Sequence, residues 1–185
     1  TNITNGVAFE TGTFPAAGAA AQALGAELLK QETSLSYSLG LVLQPIDRLY
    51  VTVDAYQIEI DDRIVLSSNL NIAGNQAAQA LLASLGITGV TSARYFNNAI
   101  DTRTRGVDVV GSYSIPFDAS TLGLTASYNY NKTEVTRIAP NPAALDALGA
   151  NLQRMGRDER GRIEEGAPRD KFAFTGDWSL EHWGF

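Results

Sequence analysis

Polar and aromatic side chains stand close together in one short segment, SARYFNNAID, at residues 92–101. The segment brings Arg94, Tyr95, Asn97 and Asn98 within five positions of each other. A guanidinium, a phenol and two amides offer the hydrogen bonds and the ring surface that contact a sugar or another small ligand. Packing onto a neighbouring loop explains the same residue types equally well. These four residues are the candidate ligand-binding residues of the chain.

Two charged clusters are further candidates. Glu59, Asp61 and Asp62 supply carboxylate oxygens, which calcium prefers, but no glycine-bearing calcium loop accompanies them. A solvated strand end is therefore the favoured interpretation. Residues 154–171 mix six basic with five acidic residues, which favours a solvated loop with internal salt bridges. The alternative is that its arginines bind an anionic small molecule or the phosphate groups of a larger ligand.

The sequence lacks the residues that most metal sites and enzymes need. His182 is the only histidine and there is no cysteine, so we expect a surface histidine and no metal site. No Ser-His-Asp set, phosphate-binding loop, paired carboxylates or dinucleotide motif appears. We therefore expect no catalytic residues and no cofactor, and the chain is predicted not to be an enzyme.

Composition narrows the class of protein. The chain has 185 residues and a net charge of −6, which argues against a nucleic-acid partner because phosphate binding needs clustered basic residues. No apolar run reaches the ~20 residues of a membrane-spanning helix. The strands of a membrane barrel remain possible, because they need only ~9–11 residues and are half polar.

Alternation of apolar and polar residues predicts about five strands in an antiparallel up-and-down meander. The predicted strands lie near residues 32–43, 49–65, 103–116, 121–137 and 170–182. Long loops are predicted at residues 1–30, 66–100 and 138–168. Short turns join the first strand to the second and the third strand to the fourth. Short turns and long loops therefore alternate along the chain.

Each predicted strand has one apolar and one polar face. The first strand, for example, places Leu35, Leu39 and Leu43 on one side and Ser36 and Ser38 on the other. Aromatic residues fall on or near the apolar faces, several toward strand ends, as in the aromatic girdle of a membrane barrel. They are Tyr37, Tyr56, Tyr113, Tyr128, Tyr130 and Trp178. The polar faces are expected to line a lumen and the apolar faces to contact lipid.

Some local features interrupt this pattern. The alternation changes phase near Ala55, which indicates either a β-bulge, the favoured interpretation, or a change of environment along the strand. Three helices are predicted inside the long loops, at residues 16–30, 75–86 and 142–155. Asn75 and Asn141 are the expected N-caps, and Gly86 is the expected stop of the second helix.

The asymmetry of the connections selects between two folds. A soluble all-β module that binds carbohydrate or another ligand would account for the alternation. Loops of about thirty residues are uncommon in such a domain. Outer-membrane barrels have short periplasmic turns and long extracellular loops. The sequence therefore favours a barrel wall, with the soluble binding module as the alternative.

Four segments in order carry a family resemblance: ETSLSYSLGLVLQP, LYVTVDAYQIEIDDRIV, TRTRGVDVVGSYSIPF and LGLTASYNYNKTEV. Together they resemble the barrel of TonB-dependent outer-membrane receptors. The resemblance implies a 22-stranded transmembrane barrel in a Gram-negative outer membrane. It also implies active uptake of a scarce ligand, either a siderophore, cobalamin or a saccharide, with energy from the TonB complex.

The resemblance further implies that the chain is a fragment from the C-terminal part of such a barrel. Five strands do not close that barrel, and the plug and TonB box of the family are not in this sequence. Alternation does not run back in phase from Phe185, so we expect this residue to be a truncation point. Outer-membrane lipid, the TonB complex and a small-molecule ligand are the expected partners. An isolated fragment is expected to be oligomeric or detergent-dependent, because its apolar face needs a cover.

Overall fold

The computed structural model describes residues 2–4, 7–149, 151–180 and 183–184. Its strands are β1 (Asn2–Thr4), β2 (Val7–Phe9), β3 (Thr11–Phe14), β4 (Thr33–Ile46), β5 (Leu49–Leu66), β6 (Leu70–Asn71), β7 (Ser92–Phe117), β8 (Ser120–Ile138), β9 (Asp170–Leu180) and β10 (Trp183–Gly184). Its helices are α1 (Ala19–Ala23), α2 (Gln76–Ser84), α3 (Ala143–Leu148) and α4 (Arg157–Glu165). Among the described residues, no helix is long and apolar enough to cross a membrane.

The five long strands form the predicted antiparallel meander. They lie in one sheet in the order β10-β9-β8-β7-β5-β4, so neighbours in the sheet follow one another along the chain except for the short β6. Strand β6 pairs with β7 antiparallel and β3 pairs with β7 in parallel. Strands β1 and β2 pair with each other. The fold class predicted from the sequence, an all-β antiparallel meander with short helices, is confirmed.

Residue contacts divide the chain into two compact units. The loop unit comprises Thr1–Ser34, Ile60–Thr102 and Val135–Ile163, and the strand unit comprises Leu35–Glu59, Arg103–Glu134 and Glu164–Phe185. Two tight turns connect strands in the strand unit. Asp47 and Arg48 join β4 to β5, and Asp118 and Ala119 join β7 to β8. Arg48 adopts a φ of 66°, the left-handed conformation that such turns often require.

Polar side chains pair across one face of the strand unit. Thr104 and Thr133 share a hydrogen bond of 2.9 Å, and the Asn129 amide donates to Asp108 at 2.5 Å. The other face carries apolar rows that are open to the surroundings. Leu39 is 79% exposed and Phe172 is 73% exposed. This difference between the faces follows from the period-two alternation of the sequence.

The phase change near Ala55 is not a β-bulge, contrary to the prediction. Two contacts fix the pairing of β5 with β7 on either side of Ala55. The Ser114 N–H donates to the Arg48 carbonyl, and the Arg105 guanidinium contacts the Gln57 side chain. The two contacts lie nine residues apart on each strand, so the offset between the strands is the same at both. A bulge between these contacts would insert one residue and change the offset. The register is therefore constant, and the apolar residues change faces.

Tyr56 consequently lies on the polar face and not in an apolar girdle. Its ring covers Gly106, where an added β-carbon would overlap the ring. Its hydroxyl accepts a hydrogen bond of 2.8 Å from the Asn131 amide. The absence of a side chain at Gly106 thus leaves room for an aromatic ring to lie flat on the neighbouring strand.

The buried core of the described residues lies in the loop unit. Helices α1, α2 and α3 contribute Ala21, Leu82 and Leu145, and the strands contribute Leu70 and Tyr95. A second, smaller cluster contains Ala99, Ile100 and Met155. Helices α1, α2 and α3 therefore bury their apolar residues in the core of the loop unit.

The predicted helices are present but shorter than expected. Helix α2 has its predicted cap, because the Asn75 side chain accepts a hydrogen bond from the Ala78 N–H at 3.0 Å. Gly86 follows this helix with a φ of 78°, as its predicted role as a stop requires. Helix α1 spans only Ala19–Ala23, within the predicted 16–30.

The prediction for residues 142–155 was wrong in two respects. Helix α3 ends at Leu148, and its N-cap is Pro142 rather than Asn141. The Asn141 side chain bonds instead to Asp146, to the Leu152 carbonyl and to the Arg154 N–H. The charged segment predicted as a loop contains helix α4.

The contact between the Tyr56 ring and Gly106 predicts that a larger side chain at residue 106 destabilises the strand unit. Gly106→Ala should lower the free energy of unfolding by about 1–3 kcal/mol, because the new methyl group must displace the ring. Gly111→Ala is the matched control, since no atom lies within 4 Å of a β-carbon there. Thermal unfolding of both variants measures the difference. An equal loss in a Tyr56→Ala background would show that the ring is not the cause.

Candidate functional site

The four candidate residues of the SARYFNNAID segment lie in strand β7 and not in a loop. Strand β7 begins at Ser92, well before the predicted start near residue 103. The four residues do not converge on one site. Arg94 lines one cavity, Asn97 and Asn98 line another, and Tyr95 is buried in the core.

Tyr95 has a structural role. Its side chain is 0% exposed, and its hydroxyl donates to the Leu24 carbonyl at 3.3 Å. Burial raises the pKa of this hydroxyl above its usual value, although the nearby Arg154 acts in the opposite direction. The residue therefore packs onto neighbouring segments, which was the alternative considered for this stretch.

The cavity beside Arg94, here called the polar cavity, has a volume of about 660 Å³. This size falls in the range of small-molecule sites. Three arginines, two carboxylates, two hydroxyl-bearing threonines and several amides surround it, with no aromatic ring. Its lining residues are Thr11, Thr13, Ser68, Asn69, Arg94, Asn151, Gln153, Gly156, Arg157, Asp158, Glu159 and Arg162.

Glu159 organises the polar cavity. Its carboxylate accepts hydrogen bonds from Arg94 at 3.0 Å, from Arg162 at 3.2 Å and from the Ser68 hydroxyl at 3.1 Å. Its side chain is only 13% exposed, so these partners replace the water that the charge would otherwise need. Glu159 also lies in the first turn of α4, where the helix dipole favours a negative charge.

Arg157 provides a charge that the cavity itself does not neutralise. It is exposed, and among the described residues it forms no salt bridge. The Gly156 N–H donates a hydrogen bond of 2.6 Å to the Ser68 hydroxyl oxygen. This bond fixes the start of the helix that carries Arg157. A guanidinium presented from this helix start is suited to a carboxylate, a phosphate or vicinal hydroxyl groups of a ligand.

The second cavity, here called the asparagine cavity, has a volume of about 220 Å³. Asn98 lies at the rim of this cavity, where its side chain forms hydrogen bonds with two other segments of the chain. Its amide donates to the carbonyls of Lys30 and Asp62, and its oxygen accepts from the Lys30 N–H. Asn97 is buried beside this network.

Two carboxylates of the acidic cluster, Glu59 and Asp62, are paired with arginines. Within the strand unit, Glu59 forms a salt bridge of 2.7 Å with Arg103. Within the loop unit, Arg137 contacts Asp62 at 2.8 Å and Asp101 at 2.5 Å. Among the described residues, no group of three or more histidines or acidic residues is arranged to hold a metal ion. His182 and Phe185 lie outside the described residues.

Sequence reasoning missed the residues that complete the polar cavity, above all Ser68 and Glu159. Ser68 lies in a long connection, far from Glu159 in the sequence, so no local spacing indicates their contact. A signal for the helix was present. Asp158 and Glu159 lie in the first turn and Arg162 in the last turn, as a helix prefers, but Glu164 and Glu165 at the end weaken this signal.

The family model for the β-barrel of TonB-dependent receptor-like proteins matches residues 3–185. The chain therefore belongs to this family of receptors and transporters, as its strand pattern indicated. Such barrels are found in the outer membrane of Gram-negative bacteria, and their transport depends on TonB. This membership disagrees with the alternative of a soluble binding module. None of the curated proteins matches the chain in a direct comparison.

The Asp101–Arg137 pair predicts a pH dependence of stability. Hydrogen bonding to Arg137 lowers the pKa of Asp101, although partial burial opposes this effect. A lowered folded-state pKa stabilises the fold above the ordinary aspartate pKa of about 3.9, and the effect is lost as the pH falls through the folded-state value. Asp101→Asn should therefore lower the unfolding midpoint at pH 7 and have less effect in acid.

Unfolding in detergent at a series of pH values measures this difference. Asp61→Asn, at an exposed carboxylate nearby, is the matched control and should leave the midpoint unchanged. If the unfolding midpoints of wild type and Asp101→Asn differ by the same amount in strong acid as at pH 7, the Asp101–Arg137 ion pair is contradicted.

Proposed function

We propose that this chain forms part of the barrel wall and external loops of an outer-membrane receptor that imports a scarce ligand with energy from TonB. The proposed receptor closes a 22-stranded barrel, carries a plug and contacts TonB. The polar cavity is the proposed contact with the ligand. The role is transport, and no step of it requires a catalytic residue.

The lining of the polar cavity is the observation that carries the proposal. Arginine, amide and hydroxyl groups surround the space, and they match the hydroxyl and acidic groups of a hydrophilic ligand. Of the three ligand classes that the sequence left open, a saccharide with negative charge agrees best with this lining. The pairing of Arg94 and Arg162 with Glu159 holds the cavity in shape while Arg157 supplies the positive charge.

The apolar rows of the strand unit support the membrane setting. Leu35, Leu39 and Leu41 are largely exposed on β4, and Phe172 and Phe174 are largely exposed on β9. A soluble monomer rarely leaves such contiguous rows in water. Contact with lipid covers them without requiring any further protein.

Charge on the two faces of β4 tests this orientation. Leu39→Arg should impair barrel assembly, because an arginine that faces the middle of the bilayer costs about 2–4 kcal/mol. Ser38→Arg is the matched control, since the neighbouring residue faces water. Heat-modifiability of the full-length receptor on a gel reports the folded fraction. Similar folded fractions for the two variants would contradict the assigned faces.

Binding of oligosaccharides tests the ligand class. Arg157→Gln should weaken binding of oligogalacturonate to the full-length receptor by about tenfold or more, because a hydrogen bond to a charged group contributes about 1.5–3 kcal/mol. Arg160→Gln is the matched control on the same helix, outside the cavity lining. Equal binding of neutral dextran oligomers, or no effect of Arg157→Gln, would overturn the assignment of a negatively charged saccharide.

A further inference from the structure

The asparagine cavity contains two buried polar side chains that are not fully satisfied within the protein. Asn97 is 3% exposed and Arg154 is 7% exposed, and both line the cavity. Among the described residues, no partner lies within hydrogen-bonding distance of Asn97 Oδ1 or Arg154 Nε. Buried polar atoms are almost always hydrogen-bonded, so two such atoms around one cavity need an explanation.

Arg154 is a buried cation without a carboxylate partner. Its Nη2 donates to the Pro140 carbonyl at 2.5 Å, and its backbone N–H donates to Asn141 at 2.9 Å. Both acceptors are neutral, and within the described part of the chain no acidic residue forms a salt bridge with Arg154. A buried charge is stable only when an opposite charge and hydrogen bonds compensate it. A carboxylate in the cavity would supply both.

Asn97 contributes a hydrogen-bond acceptor to the cavity, where Arg154 contributes a donor. Its amide nitrogen lies 3.5 Å from the Tyr95 carbonyl, at the outer limit of a hydrogen bond, and its oxygen has no donor. The cavity therefore offers a charged donor at Arg154 and a neutral acceptor at Asn97. A hydroxyl group is a neutral ligand function that donates to an amide oxygen and introduces no second charge.

The other charged residues at this cavity have partners or are solvated. Asp62 and Arg137 form a salt bridge with each other. Glu27 and Lys30 are exposed, so water screens their charges. Arg154 is thus the one lining cation that is both buried and without a charged partner in the described structure.

We propose that the asparagine cavity binds a small hydroxy-carboxylate of about the size of one acidic sugar unit. The carboxylate lies against Arg154, and a hydroxyl group donates to Asn97. The cavity volume of about 220 Å³ is below the range of drug-sized sites, which limits the ligand to a small molecule. This site is separate from the polar cavity and does not depend on the uptake proposed for it.

Calorimetric titration of the full-length receptor in detergent tests the site with three probes. D-Glucuronate carries both groups, acetate carries only the carboxylate and D-glucose carries only hydroxyls. We expect glucuronate to bind at least about tenfold more tightly than acetate or glucose. Equal affinity for glucuronate and acetate, or no binding of glucuronate, would overturn the proposal and leave bound water as the occupant.

Substitutions assign the binding to this cavity. Arg154→Met and Asn97→Leu should each weaken glucuronate binding by about tenfold or more, while Arg160→Met, on an exposed arginine, should not. Glucuronate binding that Arg157→Gln weakens and that Arg154→Met leaves intact belongs to the polar cavity and not to this site. Unchanged binding in both Arg154→Met and Asn97→Leu would place the ligand elsewhere and overturn the proposal.

Stability without ligand separates a binding role of Arg154 from a structural one. Replacing an uncompensated buried charge by an apolar side chain of similar length is often neutral or stabilising. Arg154→Met should therefore unfold at the same temperature as wild type or higher when no glucuronate is present. If this variant unfolds early, Arg154 mainly supports the Pro140 carbonyl, and Asn97→Leu then decides whether the cavity binds the probe.

Discussion

The structure depends on one constraint, the alternation of side chains along paired β-strands. Because the register between β8 and β9 places Tyr128 opposite Phe172 and Ala126 opposite Phe174, large apolar groups gather on one face. The same alternation brings Ser112 and Thr125 together on the other face, at 3.3 Å. A slip of one residue would exchange the faces of a strand, so the pattern and the pairing specify each other.

The loop unit follows a different principle, because its connections have no repeating pattern to set their positions. Buried residues such as Tyr95 and Leu24 supply its core, and buried hydrogen bonds fix which segments meet. Ser68 is a clear example, since its hydroxyl joins Glu159 and Gly156 across a large sequence separation. Unsatisfied polar groups would be costly there, so such bonds select one arrangement of the loops.

This contrast explains what the sequence could predict. Alternation predicted the long strands, and Asn75 with Gly86 predicted the ends of α2, because those signals are local. The early start of β7 depends on pairing with β3 and β6, which are short and distant in sequence. Helix α4 has no buried residue, so it shows no apolar stripe to reveal it. The members of the polar cavity come from separate segments, and only the tertiary fold brings them together.

The two cavities of the loop unit handle buried charge in opposite ways. In the polar cavity, Glu159 is shared by Arg94 and Arg162, so the buried carboxylate is compensated by the protein itself. Arg154 has only neutral acceptors among the described residues, and its charge is left for something outside the chain to balance. A compensated charge fixes geometry, whereas an uncompensated one favours an anion that enters. The same residue type thus serves structure at Arg94 and recognition at Arg154, and the difference lies in whether a carboxylate is within reach.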